Sequence, residues 1–234
     1  MATTDGDPWA TVLDVLPDGA THHDADRALR AAGWTDCGTG DWAWALRAPD
    51  GRSVARISPF DPAAPYSAAL YREASDTRQV PVLFGHRVLD GGGDLTLMEA
   101  LEPVAEPEAA AFHRSLAAGD PEVATLVRHI RTVHAQGADE QPWWGPLDDN
   151  PANVMRGADG RLVVADLYYA DGPNLYRTVL EDPDRVVRAF PEERRRFMTE
   201  LPLASSGGWP DGEAERMRAA LAAADARLRV ADAR

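Results

Sequence analysis

The sequence predicts an α+β chain in two parts, a sheet-rich segment over residues 1–99 and a mainly helical segment over residues 100–234. Three observations carry this. Short β-type runs separated by turn residues fill the first part. Trp42, Trp44 and Leu46 alternate, Val54–Ile57 returns across Pro49-Asp50-Gly51, and Val80–Phe84 and Leu95–Met98 flank the Gly91-Gly92-Gly93 turn. Beyond residue 100 the apolar period lengthens. Val123, Leu126, Val127, Ile130 and Val133 form one helical stripe, and Met217, Leu221, Ala224 and Leu228 form another. The change falls at Met98-Glu99-Ala100-Leu101 without a linker or a repeat.

Taken in order, residues 1–20 hold turn signals and an apolar patch at Val12, Leu13, Val15 and Leu16. Thr21 or Asp24 is placed to cap a helix running to Gly33, with Ala25, Leu29 and Ala32 on one side. His22-His23 has no third ligand at metal spacing and reads as a solvated helix start. Gly38-Thr39-Gly40 reads as a hairpin turn, as does the triple glycine, since no helix and no Lys follow it. A helix starts at Pro65, carrying Tyr66, Ala69, Leu70 and Glu73 on one face or its edge. Helices follow over Pro107–Ala118 and Pro121–Gln136, each with Pro at the favoured first position. Later helices are expected to about Leu180, over Pro191–Leu201 and over Gly212–Arg229.

Composition narrows the class. A chain of 234 residues with 44% hydrophobic and 26% charged content is ordinary for a globular protein. No apolar run reaches the length of a membrane span, and the acidic start lacks a signal-peptide pattern. One cysteine, Cys37, excludes an internal disulfide, so the expected compartment is cytoplasmic. A net charge of −14 argues against nucleic acid. It suits a cationic partner, and equally suits solubility. Every basic residue is Arg; the chain has no Lys.

The chemistry concentrates between Gly145 and Tyr169. Asp148, Asn153 and Asp166 present carboxylate and amide oxygens at three separated points. Val154-Met155, a turn at Gly157–Gly160 and the run Leu162–Ala165 predict a hairpin that folds Asp166 back beside Asn153. Hard oxygen ligands at a loop mouth suit Mg²⁺, and Asp148 just before them suits proton acceptance from a hydroxyl. The same residues also suit a surface turn followed by an ordinary hairpin.

Asp148, Pro151, Asn153 and Asp166 resemble the catalytic loop and metal segment of the aminoglycoside phosphotransferase family, which has the two-lobed protein-kinase-like fold. Pro146 and Leu147 depart from that family, which has His and Gly there. The resemblance implies a small β-rich nucleotide-binding lobe over residues 1–99 and a helical catalytic lobe over residues 100–234. It implies ATP or another nucleoside triphosphate with Mg²⁺, and a hydroxylated small molecule as acceptor. Asp148 then acts on the acceptor hydroxyl, and Asn153 and Asp166 bind metal. Arg56 stands for the phosphate-binding Lys, Glu73 pairs with Arg56, and backbone groups near Met98 and Glu99 meet the adenine. Glu181, Asp182, Asp184, Glu192 and Glu193 fall where the family builds its substrate pocket, and equally suit a solvated face. The missing Lys and His also suit a kinase-like binding protein without catalysis.

Overall fold

The computed structural model describes residues 16–232, so Val12, Leu13 and Val15 lie outside the described residues. The two-part α+β architecture is what the chain adopts. Helix α1 (His22–Ala31) begins on a reciprocal cap in which the Thr21 hydroxyl accepts from Asp24 N and the Asp24 carboxylate accepts from Thr21 N at 3.0 Å. His22, Ala25 and Leu29 of α1 are buried, while Ala32 lies past its end and is exposed. The stripe settles on the sheet formed next by β1 (Thr35–Thr39), β2 (Trp44–Arg47), β3 (Ser53–Ser58), β4 (Leu83–Val88) and β5 (Asp94–Glu99).

These five strands lie in the order β1-β2-β3-β5-β4, every neighbouring pair antiparallel. Helix α2 (Ala64–Glu73) is the crossover between β3 and β4, and Pro65 stands in its first turn. Leu46, Ala55, Ile57, Leu95 and Leu97 alternate onto one buried face against Leu29 and Trp34. Cys37 is an exposed thiol on β1.

The second part is mainly helical. Helices α3 (Glu106–Ala118), α4 (Ala124–Glu140), α5 (Gly172–Glu181), α6 (Pro183–Ala189) and α7 (Glu213–Asp232) follow. A small sheet, β6 (Glu102–Pro103), β7 (Val154–Arg156) and β8 (Leu162–Val164), carries the expected hairpin. Gly119 ends α3 in the left-handed region, its N–H donating to Ser115 O at 2.9 Å. Two expected helices differ. Helix α4 starts later than Pro121, because residues 121–123 turn, and runs past Gln136 to Glu140. The segment from Pro191 holds only a 3₁₀ turn, Glu192–Arg194, followed by further turns.

That irregular segment is one place where the two parts meet. The Asp90–Gly92 turn between β4 and β5 sits against it, and a Cβ on Gly92 would stand 1.9 Å from the Arg194 carbonyl oxygen. Only glycine allows this approach, and Gly92 also has φ +91°. Gly92→Ala therefore pays both overpacking and backbone strain, about 2–4 kcal/mol in total. Gly119→Ala shares the positive φ but meets nothing within 4 Å, so it is expected to cost about 1 kcal/mol. Urea unfolding midpoints of the two variants test this; equal losses would show that the Gly92 contact carries no weight.

Candidate active site

The loop before β7 is held by the strand-like segment after β8. Gly145 N donates to Tyr169 O at 2.9 Å, Asp148 N to Leu167 O at 2.9 Å and Asp171 N to Trp143 O at 2.7 Å. The β7–β8 ladder continues one step further, with Ala165 N donating to Asn153 O at 2.8 Å. Asn153 and Asp166 therefore face each other at the ladder's open end, and the Asn153 amide donates to Asp166 O at 3.1 Å. Asn150 caps the Pro151–Asn153 turn by accepting from Ala152 N at 3.0 Å. Asp148 Oδ1 accepts from Asn150 N at 2.9 Å, which orients its carboxylate.

Asp166 adopts φ +46°, one of only three non-glycine residues with positive φ among those described. Left-handed backbone is disfavoured for a residue with a Cβ and tends to persist where the surroundings impose it at a working site. Here the Tyr71 hydroxyl from α2 accepts from Asp166 N at 3.2 Å, and Asp166 Oδ1 lies 3.6 Å from Arg56 Nε. The Asp166 side chain itself remains 52% exposed, a carboxylate offered to the cleft.

Arg56 sits on the central strand β3 with its side chain 16% exposed. Its Nη2 donates to Asp61 Oδ2 at 2.8 Å, while Asp61 Oδ1 accepts from Ala63 N and Ala64 N at 2.9 and 3.1 Å. One buried carboxylate thus holds Arg56 and satisfies two free N–H groups at the start of α2. Burial opposes the Arg56 charge, but the carboxylates of Asp166, Asp61 and Asp94 outweigh it and hold the guanidinium above its ordinary pKa. Burial pushes the Tyr71 hydroxyl up as well, with the Asp166 charge adding to it, so Tyr71 stays neutral.

Arg56, Met98, Asp148, Asn153 and Asp166 line one cleft of about 280 Å³, with Asp61, Trp42 and Tyr169 in its walls. Gly38 and Gly40 of the β1–β2 hairpin border the same cleft. Two expected residues are elsewhere. Glu73 does not pair with Arg56: it lies at the far end of α2, exposed, 3.9 Å from His129 of α4. The carboxylate that does pair with Arg56 is Asp61, just before α2. Glu99, next to Met98, is not among the residues that line the cleft. Strand alternation turns its side chain away from Met98, and its carboxylate accepts from Val82 N at 2.7 Å and from Arg161. Its own N–H donates to Val82 O at 3.0 Å, so that group does not face the cleft.

Asp61 was missed by reading the sequence, although Asp61-Pro62-Ala63-Ala64-Pro65 carries a helix-start signal. Trp42 and Tyr71 carried no signal for the cleft. Of the acidic residues between 181 and 193, Asp182 caps α6, Asp184 meets Arg227 at 2.5 Å and Glu192 meets Arg196 at 2.8 Å. None of the five lines this cleft.

No protein-family model matches the chain. No curated protein matches it either. Among solved structures, the chain is similar to an apo pseudokinase at 13% identity, over 80% of this chain and 82% of that one, with a TM-score of 0.31. It is similar to the pseudokinase drought responsive inactive kinase 1, bound to ENMD-2076, at 14% identity over 80% and 82%, with a TM-score of 0.32. It is also similar to the Mycobacterium tuberculosis PknI kinase domain at 15% identity over 81% and 96%, with a TM-score of 0.31.

The Arg56 pairing is directly testable. Asp61→Ala leaves a buried guanidinium without its closest partner and uncaps α2, and is expected to cost about 3–5 kcal/mol in urea unfolding. Glu73→Gln, at an exposed site, should stay within about 0.5 kcal/mol. A larger loss for Glu73→Gln would reverse the pairing described here.

Proposed function

We propose that this chain is a small-molecule O-phosphotransferase of the aminoglycoside phosphotransferase type, using ATP or another nucleoside triphosphate with Mg²⁺. The observation that carries the reading is the convergence of Asp148, Asn153, Asp166 and Arg56 on one cleft. The strand order with a crossover helix after β3 is in keeping with a kinase-like small lobe. The donor set fits the metal: an exposed carboxylate and an adjacent amide are hard oxygen ligands, and Mg²⁺ ordinarily takes one or two carboxylates beside substrate phosphates.

In this reading Asn153 and Asp166 would hold the metal, and the bound Mg²⁺-nucleotide supplies the phosphoryl group and neutralises developing charge. Arg56 keeps Asp61 and still has N–H donors to spare, since a guanidinium carries five. Its planar fork suits bidentate phosphate contact where other kinases use a Lys point charge. Met98 would pack beside the base. Asp148, with Oδ1 committed to Asn150 N, would accept the acceptor's hydroxyl proton on Oδ2. The acceptor enters beside Asp148, where a second cavity of about 480 Å³ is lined by Leu147, Leu167, Ile130, Arg114 and Arg131. Attraction of a cationic acceptor would rest on the net charge of −14, since three of the five acidic residues expected in its pocket are engaged in caps or ion pairs.

A second reading, a nucleotide-binding protein without turnover, is favoured by the absence of a Glu73–Arg56 pair and by Pro146 in place of the family's His. One set of measurements separates the two. The parent is expected to gain thermal stability with Mg-ATP and to consume ATP with some member of a panel of hydroxylated metabolites and antibiotics. Asp148→Asn should lower turnover about 100-fold or more, and Asp149→Asn far less. Asp166→Ala should lose the Mg²⁺-dependent shift. A shift without consumption selects the second reading, and no shift in the parent rejects both.

A further inference from the structure

Behind Trp44, whose other contacts reach the cleft, two histidines and a glutamate converge where α1 meets the irregular segment after Arg194. His22 Nε2 lies 3.2 Å and His23 Nε2 lies 2.9 Å from the same oxygen, Glu200 Oε2. The three ligand atoms fall within 4.8 Å of one another. Side chains of adjacent helical residues ordinarily diverge, yet these two rings stand 3.9 Å apart between centroids, tilted by 40°. Phe197 closes the site from the second part, edge-on to His22 at 4.7 Å and to His23 at 5.7 Å.

We infer that His22, His23 and Glu200 form a divalent transition-metal site, suited to Zn²⁺, that ties α1 to the second part of the chain. Zinc bonds of about 2.0–2.2 Å to imidazole nitrogen and carboxylate oxygen imply tetrahedral edges of about 3.3–3.5 Å. The separations to Glu200, 3.2 and 2.9 Å, are a little shorter than that edge, and opening them by about half an ångström at most brings both imidazoles to coordinating distance. Two imidazoles and one carboxylate are a borderline-soft set that favours zinc over Mg²⁺ or Ca²⁺, which want oxygen alone. A fourth position is open to water on the exposed side, where the His23 side chain is 57% and Glu200 39% accessible.

His22 is 1% exposed and its Nδ1 has no hydrogen-bond partner, so Nε2, which faces Glu200, is the nitrogen placed to bind. The start of a helix disfavours a cation, but that effect is small beside three coordinate bonds. The Glu200 charge offsets part of it. The sequence could not show this site, because the third ligand lies 177 positions beyond His23.

The test is zinc titration of the whole chain after chelator treatment, by calorimetry in excess Mg²⁺ to occupy hard-ligand sites. The parent is expected to bind one Zn²⁺ per chain and to gain thermal stability with it. His23→Ala and Glu200→Gln should each weaken binding by about 100-fold or more, since even partners outside the coordination shell cost 10–100-fold. His23 is exposed, so its variant is expected to fold even if Glu200→Gln does not. Asp166→Ala should keep the zinc affinity of the parent. The inference fails if the parent binds no stoichiometric zinc, if His23→Ala binds it unchanged, or if Asp166→Ala is the variant that loses it.

Discussion

The buried charge cluster around Arg56 is the constraint on which the rest of the cleft depends. A guanidinium on a central strand is costly to bury, and it is retained only if paired and hydrogen-bonded. Asp61 supplies that pairing at 2.8 Å and spends its other oxygen on the first N–H groups of α2. The direction of α2 and the position of Arg56 are therefore set by the same carboxylate. Asp94 lies behind it, buried, held by Thr96 Oγ1 at 2.9 Å and His86 Nε2 at 2.6 Å. Against this fixed positive charge the Asp166 carboxylate is positioned, and the backbone beneath it accepts an unfavourable φ because Tyr71 and Asn153 hold it from two sides.

The two parts of the chain are coupled by several contacts besides those around Arg56. At the β1–β2 tip, the Asp41 carboxylate accepts from Ser205 N at 2.6 Å and Ser206 N at 3.1 Å, and Trp42 packs beside Phe60 and Tyr176. At the opposite turn Gly92 lies against Arg194, and Asp90 meets Arg196 at 2.6 Å. Helix α2 is joined to α4 by the Tyr66 hydroxyl, which donates to Glu140 at 2.7 Å. With α2 packed on α4, Glu73 is carried towards His129. Charge pairing at the strand then falls to Asp61, just before the helix.

Much of this was legible locally. The Thr21 cap, Pro at the start of α2, the hairpin around Gly157–Gly160 and the Met217–Ala224 stripe are each set by neighbours within a few residues. So is the meeting of Asn153 with Asp166, because a hairpin fixes its own register. The boundaries of α4 and the loss of a helix after Pro191 were not legible. There the chain's preference competes with packing against the sheet turn and with the Trp144 ring over Gly137, which no local pattern records.

The sequence by itself determined the α+β division, the loop spacing from Asp148 to Asp166 and the presence of a strand arginine at position 56. These depend on period, turn chemistry and spacing, which are short-range properties. Tertiary structure alone decided which carboxylate meets Arg56, which way Glu99 points and that Glu200 joins His22 and His23. Each of those follows from how helices and turns distant in sequence pack together. A buried charge takes the partner that packing brings within about 3 Å, and sequence separation places no limit on which one that is.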